Sequence, residues 1–126
     1  MKIRIRNNSL RLRLTQQEVD RFQQVGEVLA AIAFPNGTKL HYILRSGKSG
    51  ADFQAEFDGT RILVTVPREA GEKWLLPTEV GMEELIPLEG ETEPLRLLIE
   101  KDFQCLSERE DEDESDNFPN PLAGQK

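Results

Sequence analysis

Five cationic side chains alternate with apolar ones in the stretch that opens the chain, Lys-Ile-Arg-Ile-Arg-Asn-Asn-Ser-Leu-Arg-Leu-Arg-Leu at residues 2–14. Guanidinium groups bind carboxylates and phosphates through paired hydrogen bonds, so this pattern could bind an anion. A two-residue turn at Asn7-Asn8 would give one apolar face and one cationic face, with Arg4 opposite Arg11. Like charges placed directly opposite each other destabilise a hairpin, so an interaction elsewhere must offset them.

A second candidate strand, residues 39–45, also alternates polar and apolar side chains. If this strand lies next to the first hairpin, its polar side extends the cationic face. The residues predicted to bind an anion are then Arg4, Arg6, Arg11, Arg13, Lys39, His41 and Arg45. Two other interpretations stay open, namely ion pairs with acidic side chains of the second half of the chain and a plain solvated surface.

The sequence assigns no catalytic residue and no cofactor. One histidine and one cysteine are too few for a zinc site built from these residue types. The alternative hypothesis is a metal-assisted phosphohydrolase, in which the arginines bind phosphates and Glu56 and Glu100 hold Mg²⁺. That hypothesis requires the cationic face to point into a cavity.

The charge of the chain is segregated. The net charge is −7, yet residues 1–50 contain nine Lys and Arg against three Asp and Glu. An acidic chain is a poor candidate for binding nucleic acid, whereas its local cationic face suits a small anion or an acidic protein segment. Residues 108–116 contain seven acids, so the chain's own tail is one such segment and could act as an autoinhibitory lid.

Local signals predict four hairpins and two short helices. Thr15 and Glu18 form a capping box that begins a helix over residues 16–25, and Gly26 ends it. The pair Asp58-Gly59 predicts a two-residue turn in the third hairpin, with Ala55 opposite Ile62 and Phe53 opposite Val64. A second helix, residues 67–76, presents Trp74.

The order of these elements repeats, which predicts an internal duplication of a β-β-α-β-β unit. Leu12 and Val64 correspond at a spacing of 52, as do Phe22 and Trp74. We therefore expect an α+β, mostly β fold of about eight antiparallel strands in a barrel or a strongly bent sheet. The domain covers residues 1–106, with pseudo-repeats 1–46 and 51–106, and residues 107–126 form a disordered acidic tail.

One cysteine permits no intramolecular disulfide, and no apolar run is long enough for a membrane span. These features predict a cytoplasmic protein without a membrane partner. We expect a small binding module without catalysis.

Residues 2–15 and 100–106, followed by Asp113-Glu114-Ser115-Asp116-Asn117-Phe118-Pro119-Asn120-Pro121, resemble a family of small uncharacterised bacterial proteins, mostly from Bacteroidetes. The likeness runs through nearly the whole chain. It implies a bacterial cytoplasmic protein and no known activity.

The duplicated strand-helix pattern also resembles triphosphate-tunnel phosphohydrolases in architecture. That likeness implies an eight-stranded barrel lined with Arg and Lys for phosphate and with Glu for metal. The first strand of those enzymes has a Glu-x-Glu-x-Lys motif, whereas this chain has Lys2-Ile3-Arg4-Ile5-Arg6, so the metal-binding pair is missing.

Overall fold

Eight strands and two helices make up the computed structural model, which describes residues 1–103. In chain order they are β1 (Lys2–Arg6), β2 (Ser9–Leu14), α1 (Gln16–Val25), β3 (Glu27–Ala33), β4 (Lys39–Ser46), β5 (Gln54–Phe57), β6 (Arg61–Val66), α2 (Arg68–Trp74), β7 (Gly81–Ile86) and β8 (Leu95–Lys101). The tail predicted for residues 107–126 and Cys105 lie outside the described residues.

The strands form two four-stranded sheets. The first sheet has the order β1-β2-β8-β7, and the second sheet has the order β3-β4-β6-β5. The central pairs β2–β8 and β4–β6 are parallel, and the other four pairs are antiparallel. The prediction of a mostly β fold with two helices is confirmed. The prediction that all strands are antiparallel is wrong for these two central pairs, which join the two halves of the chain. The predicted barrel or single bent sheet is also wrong, because the strands of residues 1–103 form two separate sheets with β1 and β7, and β3 and β5, at their edges.

The two halves of the chain pair in the same way. Ser9 lies opposite Arg96 in the first sheet, and Arg61 lies opposite His41 in the second. Arg61 follows Ser9 by 52 positions and Arg96 follows His41 by 55 positions, so one register maps onto the other. This pseudo-symmetry is what a duplication would produce, while the duplication itself stays a prediction.

The first hairpin has the predicted register, with Ile5 opposite Leu10 and Arg4 opposite Arg11. Asn7 adopts a left-handed backbone with φ of 50°, which asparagine tolerates in tight turns.

The register predicted for the third hairpin is wrong by two residues. Ala55 lies opposite Val64, and Phe57 lies opposite Ile62. The side chain of Asp58 accepts hydrogen bonds from the backbone N–H groups of Thr60 and Arg61 at 2.9 and 2.8 Å. This local bonding makes a longer turn than the two-residue turn that the Asp-Gly pair favours.

Helix α1 has the predicted capping box and ends at Gly26, whose φ is 82°. It buries Val19 and Phe22, whereas Val25 in its last turn is mostly exposed. Strands β2 and β6 lead directly into α1 and α2, so both helices lie at one end of the molecule, called here the helix end. The rings of Phe22 and Trp74 meet there edge to face at 5.7 Å.

One hydrophobic core takes side chains from both sheets and both helices. Its burial is complete at the helix end, where Leu14 and Val66 have no exposed surface. Neither helix in residues 1–103 has the length and apolar character that crossing a bilayer requires.

Candidate functional site

The cations of the first hairpin lie on the outward side of the first sheet. Leu10, Leu12 and Leu14 on β2 point into the core, so the side chains between them point outward. On β8, Leu97 and Ile99 are buried in the same way, which turns Arg96 and Glu100 outward. We name this surface the cationic face and define it by six cations: Lys2, Arg4, Arg6, Arg11, Arg13 and Arg96.

Acidic side chains of the second half of the chain offset part of this charge. Glu100 Oε1 accepts a hydrogen bond from Arg11 Nε and lies 3.8 Å from Arg13 Nε. Lys2 Nζ lies 2.8 Å from Asp102 Oδ2, just after β8. Because Glu100 bridges two arginines, it counters the repulsion that the hairpin register creates between cations.

Cations outnumber carboxylates on the cationic face within residues 1–103. Glu83, on β7, accepts a hydrogen bond from Arg96 at 2.7 Å. Glu93 lines a shallow cleft together with Arg6 and Arg96. Six cations therefore share this surface with four carboxylates of residues 1–103, those of Glu83, Glu93, Glu100 and Asp102. Arg4, Arg11 and Arg13 all have interaction partners.

The other three predicted anion-binding residues lie elsewhere. Lys39, His41 and Arg45 are on β4, which pairs with β3 and β6 in the second sheet and not with the first hairpin. Arg45 forms an ion pair with Glu27 at 3.0 Å. The structure therefore divides the predicted cluster into two groups on different sheets, because the assumed neighbour of β4 was wrong.

The alternative metal ligands are not brought together. Glu56 lies on β5 in the second sheet, whereas Glu100 lies in the first sheet between two arginines. Within residues 1–103, no three His, Cys, Asp or Glu side chains lie close enough to hold a metal ion together.

The sequence reasoning missed an apolar cleft between the two sheets. It lies at the end opposite the helices, called here the open end, and has a volume of about 390 Å³. Its apolar lining is Ile5, Leu10, Leu40, Ala55, Phe57, Ile62 and Leu95. Asn7, Asn8, Ser9 and Glu56 complete the lining.

The repeat spacing contained a signal for this cleft. Phe57 follows Ile5 by 52 positions, as Ile62 follows Leu10, and Leu95 follows Leu40 by 55 positions. Large apolar side chains at equivalent positions of both halves therefore line the same cleft.

Turn chemistry fixes the strands around the cleft. Asn8 Nδ2 donates to the Pro94 carbonyl at 3.1 Å, which ties the first hairpin to the start of β8. The hydrogen bonds from the N–H groups of Thr60 and Arg61 hold the pKa of Asp58 below its ordinary value of 3.8. The carboxylate form therefore stabilises the turn between β5 and β6.

Comparison with known families adds one match. A family model described as a family of unknown function, DUF7009, matches residues 1–122. The chain belongs to this family. No curated protein and no solved structure matched the chain. The family match supports the resemblance to uncharacterised proteins and names no activity.

Proposed function

We propose that the protein is a non-catalytic binding module that holds an acidic polypeptide segment on the cationic face of the first sheet. The observation that carries this proposal is the concentration of six cations on one sheet surface, where residues 1–103 place four carboxylates. Complementary charge of this kind attracts acidic partners and aligns them.

The distribution of the cations favours a polypeptide over a small anion. A small anion needs donors that converge on one point, and Arg11 and Arg13 already converge on Glu100. Of the other four cations, Lys2, Arg4 and Arg6 are spread along β1, which spans about 13 Å. An extended acidic segment can contact several of them at once, whereas a phosphate cannot.

The acidic tail is the nearest candidate competitor. Residues 108–116 contain seven acids and follow the last described residue by a few positions. Tethering gives such a segment a high effective concentration near the face. We therefore infer that the tail acts as an autoinhibitory lid that an external acidic partner must displace.

The phosphohydrolase alternative has weaker support. It needs a tunnel and a metal site, and the two sheets place Glu56 and Glu100 apart. The bacterial origin and the cytoplasmic location implied by the resemblance remain part of the proposal.

Binding of a labelled acidic peptide tests the proposal. The peptide has the sequence of residues 107–117, and fluorescence anisotropy compares the full chain with residues 1–106, which retain every core residue of the described part of the chain. We expect residues 1–106 to bind at least about tenfold more tightly because the tethered competitor is gone. The affinity should fall as salt rises.

Two double variants of residues 1–106 locate the site. Arg4→Glu with Arg6→Glu should abolish binding, whereas Lys39→Glu with Lys48→Glu changes the net charge equally and should leave binding intact. Equal affinity of the full and shortened chains would exclude the lid. Absence of salt-sensitive binding to residues 1–106 would exclude the function and leave the arginines with a structural role.

A further inference from the structure

The cleft at the open end exposes apolar side chains that water solvates poorly. Ile5 and Phe57, one from each sheet, are 64% and 67% exposed, although both belong to its apolar lining. Clustered exposed apolar groups mark binding surfaces in small proteins. The cleft therefore needs an occupant.

The lining indicates what that occupant is made of. Seven apolar side chains form most of the wall, and the polar groups come from the turn Asn7-Asn8-Ser9 and from Glu56. No cation of residues 1–103 lines the cleft, and its one charged side chain there, Glu56, is negative. An anionic headgroup would therefore be repelled and not paired. Apolar side chains on a peptide backbone fit, because the turn amides can bond the backbone.

We propose that the occupant is the chain's own segment Phe118-Pro119-Asn120-Pro121-Leu122. Phe118 and Leu122 are the two large apolar side chains of the tail. The family model matches the chain through residue 122, so the match includes this segment. The prolines limit the conformational entropy that docking must overcome.

The path of the chain is compatible with this docking. The chain leaves β8 at the helix end, where the Asp102 N–H donates to the Leu14 carbonyl at 2.8 Å. From there to the open end is about the length of β1, roughly 13 Å. The fifteen residue-to-residue steps from Phe103 to Phe118 can span up to about 50 Å, so the length suffices.

The intervening sequence matches the surface that it would cross. Residues 108–116 are acidic, and the cationic face lies between the helix end and the open end. This inference extends the proposed lid, but it rests on the apolar cleft and on the family boundary. Docking of the apolar segment can hold even if the cationic face binds no external partner.

Disulfide trapping in the full chain tests the docking. In a Cys105→Ser background, Phe118→Cys is combined with Phe57→Cys at the cleft. The matched control combines Phe118→Cys with Val80→Cys, because Val80 is as exposed as Ile5 but lies at the helix end, where its carbonyl accepts the Lys101 N–H. A freely sampling tail starts beside position 80 and would find it at least as often.

The docking predicts that the intramolecular disulfide to position 57 forms at least about tenfold faster than that to position 80. Equal rates, or faster trapping at position 80, would overturn it. Disulfide-linked dimers in place of the intramolecular bond would also overturn it. They would show that the segment of a second copy of the chain enters the cleft.

Ile5→Cys with Phe118→Cys repeats the test on the other wall and must give the same preference. If Phe57→Cys prevents folding, this second pair decides the question. Rates at position 5 no faster than those at position 80 would then contradict the docking.

Discussion

The helix end and the open end of the molecule use equivalent residues in opposite ways. Phe22 and Trp74 are 52 positions apart and pack edge to face at 5.7 Å, both nearly completely buried. Ile5 and Phe57 are also 52 positions apart, yet each is about two-thirds exposed. The same repeat therefore builds a closed core at one end and an apolar opening at the other.

The difference follows from what each strand leads into. Strands β2 and β6 continue into α1 and α2, whose apolar sides cover the ends of both sheets. At the open end the strands are joined by connections of two to eight residues, none of which adds a helix over the apolar surface. Stability should therefore concentrate at the helix end, and binding at the surfaces that the helices leave uncovered.

The largest expected effect comes from emptying the closed end. Trp74→Ala should lower the free energy of unfolding by about 3–5 kcal/mol, because it leaves a cavity in a fully buried cluster. In residues 1–106, which lack the segment proposed to dock there, Phe57→Ala at the open end should cost less than about 1 kcal/mol, since the side chain is 67% exposed. Urea unfolding followed by circular dichroism measures both, and similar losses would contradict the contrast between the two ends.

Two ion pairs of the first sheet should differ in how much they stabilise the fold, because one is more buried than the other. Glu100→Gln should cost about 1–2 kcal/mol, because Arg11 and Arg13 are half-buried and lose a shared partner. Glu83→Gln breaks an exposed pair with Arg96 and should cost between about 0 and 1 kcal/mol. The same unfolding experiment compares them, and a larger cost at Glu83 would show that Glu100 does not stabilise the hairpin register.

Two threonines provide a matched test of the local bonds at each end. Thr15→Ala removes the N-cap of α1 and should cost about 1 kcal/mol. Thr38→Ala removes a hydrogen bond to Asn36 in the turn before β4 and should cost a few tenths, about 0.5 kcal/mol at most. Thermal melts of the two variants give the comparison, which fails if Thr38→Ala is the more destabilising change.

Acidification should destabilise the turn between β5 and β6, at the open end. The pKa of Asp58 in the folded protein is below 3.8, so the stabilisation is complete above that pH and is lost as the pH falls through the folded value. Amide exchange at Thr60 and Arg61 should therefore quicken relative to the rest of the sheet. Asp58→Asn keeps an acceptor that does not titrate in this range, so a pH effect that persists in this variant would exclude Asp58 as its source.

Local sequence signals predicted the helices and the first hairpin, because capping and turn preferences act over a few residues. The register predicted for the third hairpin was wrong because it followed from the two-residue turn that Asp58-Gly59 favours. The repeat predicts a different register. Ala55 follows Ile3 by 52 positions, and Ile3 lies opposite Leu12, so the repeat alone places Ala55 opposite Val64 as observed.

The part of the candidate site on the first hairpin could also be predicted from local sequence patterns. Strand alternation placed Arg4, Arg6, Arg11 and Arg13 on one surface. Ion pairs with acidic side chains of the second half of the chain were one of the open interpretations, and Glu100 and Asp102 form such pairs. The position of His41 and its neighbours depended on which distant strand pairs with β4. Alternation along a strand does not contain that information, so the two groups of cations were joined wrongly.

A nuclear magnetic resonance titration tests the central claim most directly. Isotope-labelled residues 1–106 are titrated with the acidic peptide of residues 107–117, and the shifted backbone amides are mapped onto the two sheets. The account predicts shifts concentrated on β1 and β2, around Arg4, Arg6 and Arg11. Shifts concentrated on β4 of the second sheet, or no shifts at all, would contradict it.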